Sequence, residues 1–208
     1  MPTEIFGQPL SKRFGKWHAS DIVRNRILRQ FGGTYLDRDV YVVKSLDPFR
    51  NYELTLDYEI RNKSLETEYK VLGTQTLIGH RKARFLDLWL LSYCDYRPDE
   101  WYYNAGELPT TEILAKRPDL VNGLNGEFAA EGRRACPLLY HRYYRGWRQK
   151  YYTTHLNIRG DHFLQYDWCF DETFLPAITR FDEYIVRQLN TTFGEMARDV
   201  LDYEISVN

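Results

Sequence analysis

The chain has 208 residues carrying 28 basic and 29 acidic side chains, so no global field draws it to nucleic acid or to an anionic membrane. That length suits one well-cored domain and is short for two. No apolar run approaches the roughly 18–20 residues that span a bilayer, Met1–Gly15 lacks the apolar centre of a secretory signal, and Cys94, Cys136 and Cys169 form no CxxC pair, which argues against structural zinc and a disulfide framework.

In chain order, the first clear element is a helix over His18–Phe31. Ile22, Val23, Ile27, Leu28 and Phe31 recur at helical spacing, with Arg24, Arg26 and Arg29 among the remaining positions. Gly32-Gly33 ends it. Thr34-Tyr35-Leu36 then reads as a strand, Val40–Val43 as a second, and Glu53–Glu59 as a third beyond the Asp47-Pro48 turn. Residues 63–70 are charged and expected as a surface loop. Thr76–Gly79 reads as a short buried strand, and Ala83–Tyr93 as a helix with a wide apolar face. Strand followed by helix suggests an α/β unit. Tyr102–Pro109 is turn-rich, Thr110–Leu114 can open a short helix, and the glycines and asparagines of Val121–Gly132 predict a loop. Tyr140–Tyr152 interleaves aromatics with Arg142, Arg145, Arg148 and Lys150: a stacking platform for sugar or single strands, or an amphipathic surface with snorkelling arginines, which is the favoured reading. Phe174–Asp199 is mostly helical with a break near Asn190-Thr191-Thr192. That break and Asn62-Lys63-Ser64 are glycosylation sequons, compatible with a luminal setting.

The most informative stretch is Gly32–Val40, which sets Asp37 and Asp39 one residue apart where a strand should end. Asp-x-Asp alone is a weak signal; its place after helix, double glycine and Tyr35 makes it specific. On extended chain, carboxylates at this spacing point to opposite faces. Carboxylate oxygens suit hard cations such as Mg²⁺ and Mn²⁺. Asp21 and Arg24, three apart on the helix, share a face.

Segment 18–49 resembles the glycosyltransferases with a DXD-containing sugar-binding region, a group that includes fungal initiating mannosyltransferases, lactosylceramide α-1,4-galactosyltransferase and, more distantly, bacterial glucosylating toxins. Trp101–Pro109 is similar to animal members of the group. The resemblance implies an α/β fold of the GT-A type, a Rossmann-like mixed sheet flanked by helices, and one catalytic domain over 1–208 lacking its first strand or strands. It implies a metal-dependent hexosyltransferase moving a sugar from a nucleotide-sugar donor, most readily a UDP-sugar, to a glycan or glycolipid acceptor with retention. Asp39 would coordinate Mn²⁺ or Mg²⁺ directly, with Asp37 beside the donor's ribose and sugar and assisting the metal through water. Asp21 and Arg24 would read donor hydroxyls beside Tyr35. His155, ahead of His141, would be a third ligand, and Gln75 and Asn104 would contact donor or acceptor. No nucleic-acid partner is expected. A longer form with an anchor would reside in the Golgi lumen or at its membrane, since this chain has no targeting signal. A non-catalytic relative that binds a partner enzyme or glycan is the alternative reading.

Overall fold

A computed structural model describes residues 1–62, 68–129, 137–156 and 182–207. Among them no helix is long and apolar enough to cross a membrane. The chain opens with a two-residue hairpin, β1 (Glu4–Ile5) with β2 (Gln8–Pro9), and enters α1 (Gly15–Phe31). Helix α1 begins three residues earlier than the apolar periodicity indicates, and it buries a different face. Ile22 and Leu28 are buried as expected, but Ile27 is 49% and Phe31 68% exposed, while His18, Asp21, Arg24 and Asn25 are buried. Burial of charge inside one helix face is costly unless the charges are paired, so this helix is built to hold a polar site.

Gly32 stops the helix at φ +70°, donating its N–H to the Leu28 carbonyl at 2.7 Å. A Cβ there would sit 2.7 Å from the Arg81 amide nitrogen. The glycine therefore lets α1 end directly against the 79–82 turn.

The main sheet has the order β3 (Gly33–Leu36), β7 (Thr76–Gly79), β5 (Leu54–Asn62), β6 (Glu68–Leu72), with neighbours antiparallel; β8 (Asn122–Leu124) pairs in parallel with β5. The result is a mixed sheet with helices packed against it, the α/β architecture expected from the sequence. Helix α2 (Arg84–Ser92) follows β7 and buries Phe85, Leu86 and Trp89 in the largest core cluster, with Ile22 and Leu28 from α1 and Leu54, Leu56, Leu72 and Leu77 from the sheet.

Two expectations fail for tertiary reasons. Of the anticipated 63–70 loop, residues 68–70 begin β6, because β5 supplies hydrogen-bonding partners as far as Asn62; residues 63–67 lie outside the described set. Within the anticipated 121–132 loop, residues 122–124 form β8, recruited by the outer edge of β5. The turn-rich 102–109 and the helix expected from Thr110 become two short wide-turn helices, Tyr103–Glu107 and Pro109–Leu114.

The register of β5 holds one irregularity that matters below. Thr55 pairs with Ile78 and Tyr58 with Leu72, so three steps along β5 answer six steps along its partner. The excess is Gly73-Thr74-Gln75, a bulge that turns backbone groups out of the ladder.

A second core cluster joins the later chain. β4 (Val40–Val42) pairs antiparallel with β9 (Thr153–His155), apart from the main sheet. Around them pack Tyr140, Trp147, Tyr151, Phe193 and Met196, the last two from α5 (Thr192–Val207). α3 (Trp147–Lys150) is a single turn, and α4 (Glu183–Gln188) precedes the break ahead of α5. The aromatics of Tyr140–Tyr152 largely face inward: Trp147 is 0% exposed and donates its indole N–H to Glu195 at 2.9 Å, while Arg148 bridges Glu195 and Asp199. Residues 174–181 of the expected C-terminal helical region, and Cys136 and Cys169, lie outside the described residues; Cys94 is exposed.

Candidate functional site

The chain leaves β3 at Leu36 and does not continue extended. Asp37, Arg38 and Asp39 form a turn closed by the Val40 amide donating to the Asp37 carbonyl at 3.1 Å. This overturns the opposite-face expectation for the two carboxylates: a turn, unlike a strand, can bring residues two apart to one side. The first half of the turn is pinned by the bulge, whose Gln75 carbonyl accepts the Asp37 amide at 2.8 Å.

The second half is pinned by β9. Val40 is paired with His155, and the Leu156 amide donates to the Asp39 carbonyl at 2.8 Å. His155, 115 positions after Val40 in sequence but its direct cross-strand partner, thus places Nε2 3.4 Å from Asp39 Oδ1. Asp37, Asp39 and His155 each present a ligand atom within 4.8 Å of the others, and all three are partly exposed, so an ion and its further ligands can reach them. Two carboxylates and one imidazole form a donor set that could hold a divalent cation, the carboxylate oxygens favouring a hard ion over a soft one. Among the described residues this is the group of three that could hold a metal; His141 is not in it.

Arg24 organises the other side. Its guanidinium lies 3.2 Å from Asp21 Oδ1 and 3.4 Å from Asp37 Oδ1, donates to the Thr74 carbonyl of the bulge at 2.5 Å, and sits over the Tyr35 ring at 4.6 Å. Tyr35 in turn donates its hydroxyl to Asp37 Oδ1 at 2.6 Å. Burial pushes the Tyr35 phenol up to about 12, so it remains a donor throughout the neutral range. Both of these contacts to Asp37 fall on Oδ1, which leaves Oδ2 as the oxygen to offer an ion.

Of the residues singled out in the sequence, Asp21, Arg24, Tyr35, Asp37, Asp39 and His155 converge. Gln75 stands beside them through its backbone; its side chain is 2% exposed, packs against Gly73, and its Oε1 has no hydrogen-bond partner. Asn104 is not brought to the cluster. Its amide donates to the Asp95 carbonyl and accepts from the Arg97 amide, both at 2.9 Å, so the side chain holds the 95–97 turn. Glu59, Arg61 and Tyr102 escaped the sequence reading. Glu59 on β5 is near enough for its carboxylate to feel His155, and Asp21 feels Glu59. Two charged residues at alternate positions on a strand were the available signal.

Burial raises the Asp21 carboxyl from 3.8 to about 6; Arg24 opposes the rise, and Asp37 and Glu59 add to it. The folded chain therefore holds this proton more tightly than the unfolded chain. The associated stability is complete below about pH 4 and is lost as pH climbs through about 6. Relative to Asp21→Asn, the wild-type chain should lose about 2–3 kcal/mol between pH 4 and 7, at 1.36 kcal/mol for each of roughly two pH units. Urea unfolding of both proteins across that range measures it, and parallel pH profiles would contradict it.

The Asp-x-Asp turn, the helix-borne Asp-x-x-Arg pair and the distant histidine meet in an α/β chain whose residues 3–56 match the family described as glycosyltransferase sugar-binding region containing DXD motif. That match includes Asp21, Arg24, Tyr35, Asp37 and Asp39; His155 lies outside it. In particular, the chain is 34% identical over 130 residues to glucan organizing enzyme 1 of Cryptococcus neoformans var. grubii, an alignment covering 56% of this chain and 34% of that protein. The chain thus spans about a third of the length of the curated relative it matches. No solved structure matches it significantly.

Proposed function

We propose that the chain forms the donor-binding part of a metal-dependent glycosyltransferase that moves a hexosyl group from a UDP-sugar to a glycan or glycolipid acceptor, with retention of configuration. The observation that carries this reading is the convergence of Asp37, Asp39 and His155 within 4.8 Å, beside the Arg24–Asp21 pair. The name of the fungal relative favours a glucan among the acceptors.

Asp37, Asp39 and His155 would hold a Mn²⁺ or Mg²⁺ ion, which would supply charge neutralisation to the departing nucleoside diphosphate. Asp21 accepts from donor-sugar hydroxyls and Arg24 keeps its carboxylate oriented. Tyr35 fixes the rotamer of Asp37 by its 2.6 Å hydrogen bond, so the acid turn is ordered before ligand arrives. In a longer, membrane-anchored form this site would work in the Golgi lumen.

Calorimetric titration of UDP and UDP-galactose, with Mn²⁺ and then with EDTA, tests the proposal. Binding is expected with Mn²⁺ and should vanish with EDTA. A folded chain that binds neither nucleotide in Mn²⁺, or binds equally well in EDTA, would overturn it.

A further inference from the structure

Beside the site lies a second polar group that the donor reading does not use. Glu59 and Arg61, two apart on β5 and therefore on one strand face, form an ion pair at 3.1 Å between Arg61 Nη2 and Glu59 Oε2. Arg61 sits over Tyr102, its guanidinium carbon 3.9 Å from the ring centre. Tyr102 is itself anchored, donating its hydroxyl to the Leu72 carbonyl at 2.9 Å just before the bulge. β6 supports the pair from the side: Glu59 is opposite Val71 and Arg61 opposite Tyr69, whose hydroxyl donates to Glu107 at 3.0 Å. The pair is thus braced on a sheet strand, a rigid platform compared with a loop.

Its position is fixed by the bulge. Tyr102, under Arg61, is bonded to the Leu72 carbonyl immediately before the bulge, and the Thr74 and Gln75 carbonyls within it hold Arg24 and Asp37. The β5 pair and the α1 pair therefore meet the same short stretch of backbone. Each of the two guanidinium groups retains a buried Nε–H with no acceptor, on Arg24 and on Arg61.

The chemistry of the pair selects its ligand. A carboxylate beside a metal-bound diphosphate repels it, so Glu59 does not belong to the phosphate-binding part of the site. A carboxylate acceptor next to a planar multiple donor matches adjacent hydroxyls of a neutral sugar, one donating to Glu59 and its neighbour accepting from Arg61. On the proposed function the donor sugar is already served by Asp21 and Arg24 on α1.

We propose that Glu59 and Arg61 form the acceptor-sugar subsite, binding neighbouring hydroxyls of an acceptor hexose beside the α1 pair. This inference rests on the glycosyltransferase reading above.

The test uses the chain with UDP and Mg²⁺, the diamagnetic ion, and methyl β-glucoside and methyl β-galactoside as acceptor probes, followed by saturation-transfer NMR. The variants are the isosteric Glu59→Gln and the charge-preserving Arg61→Lys, each checked by thermal unfolding. Nucleotide-loaded wild-type chain should give saturation transfer to at least one methyl hexoside. Both variants should weaken that binding at least about tenfold, the loss of one charge-assisted hydrogen bond, while their UDP·Mg²⁺ affinity stays within about twofold of wild type on the same scale. Retained hexoside binding in both folded variants would overturn the subsite, as would a nucleotide-loaded wild type that binds neither hexoside. A tenfold fall in UDP affinity with hexoside binding intact would also overturn it, moving the pair to the donor side. If the wild type fails to bind UDP with Mg²⁺, the donor-site reading has failed, and that result is distinct from the loss of hexoside binding alone.

Discussion

Asp39→Asn and His155→Ala are each expected to reduce the affinity for UDP in Mn²⁺ to the level seen in EDTA, a loss of about 100-fold or 2.7 kcal/mol. The reason is geometric. The two residues come from opposite sides of a single backbone pairing, Val40 with His155, and stand 3.4 Å apart. Removing either leaves two protein ligands for a cation that normally keeps waters and phosphates on its other positions. Neither substitution opens a large core void, since both side chains are partly exposed. Thermal midpoints should therefore change little, whereas the metal-dependent part of nucleotide binding should disappear. Calorimetric titration at several Mn²⁺ concentrations reads both. Wild-type metal dependence in the His155→Ala chain would remove the histidine from the ligand set and leave the aspartates to act alone.

Arg24→Ala should be the most destabilising single change in the site, by about 3–5 kcal/mol at neutral pH, the range for breaking a buried pair by deleting one partner. Arg24 is 6% exposed and is shared by Asp21, Asp37 and the Thr74 carbonyl of the bulge. Its removal leaves the buried carboxylate of Asp21 without its cation and close to that of Asp37. The deficit carries a pH signature. Because burial already raises Asp21 to about 6, the acid can take up a proton at lower pH and shed its charge, so the penalty should shrink between pH 7.5 and about 5. Arg24→Lys should recover part of the stability through charge but not the forked contact to two acids and a carbonyl. Urea denaturation at the two pH values separates these effects; a pH-independent deficit would assign the loss to packing on Tyr35 rather than to charge.

The two variants probe different halves of one arrangement. The acid turn is held by strand β9 on one side and by the bulge on the other, and the metal group and the Arg24 network meet at Asp37. A chain lacking His155 should keep the Arg24 network, and one lacking Arg24 should lose the ordering of the acid turn as well as its own contacts.

What was legible in the sequence was local. The α1–Gly32-Gly33–β3 succession follows from helical periodicity, a glycine stop and β-branched or aromatic residues in a row, each decided within a few residues. The Asp21-x-x-Arg24 spacing carries its chemistry for the same reason, since residues three apart on a helix share a face, whereas the relation of Asp37 to Asp39 was set by a turn and not by a regular element. The Thr76–Gly79 strand and the α2 helix were likewise readable from unbroken apolar character.

Only the tertiary structure decided the rest. Apolar periodicity could not reveal that α1 turns Asp21, Arg24 and Asn25 inward and leaves Ile27 and Phe31 outside, because that choice depends on a bulge fifty residues away offering the Thr74 carbonyl to Arg24. β6 and β8 exist because β5 has edges to satisfy, a requirement invisible in charged or glycine-containing segments read alone. The turn at Asp37 and the pairing of Val40 with His155 bring three ligand atoms together across a separation that no local spacing encodes. The sequence thus marked Asp21, Arg24, Tyr35, Asp37 and Asp39 from local pattern and resemblance, whereas hydrogen-bond satisfaction along distant strand edges determined how they meet.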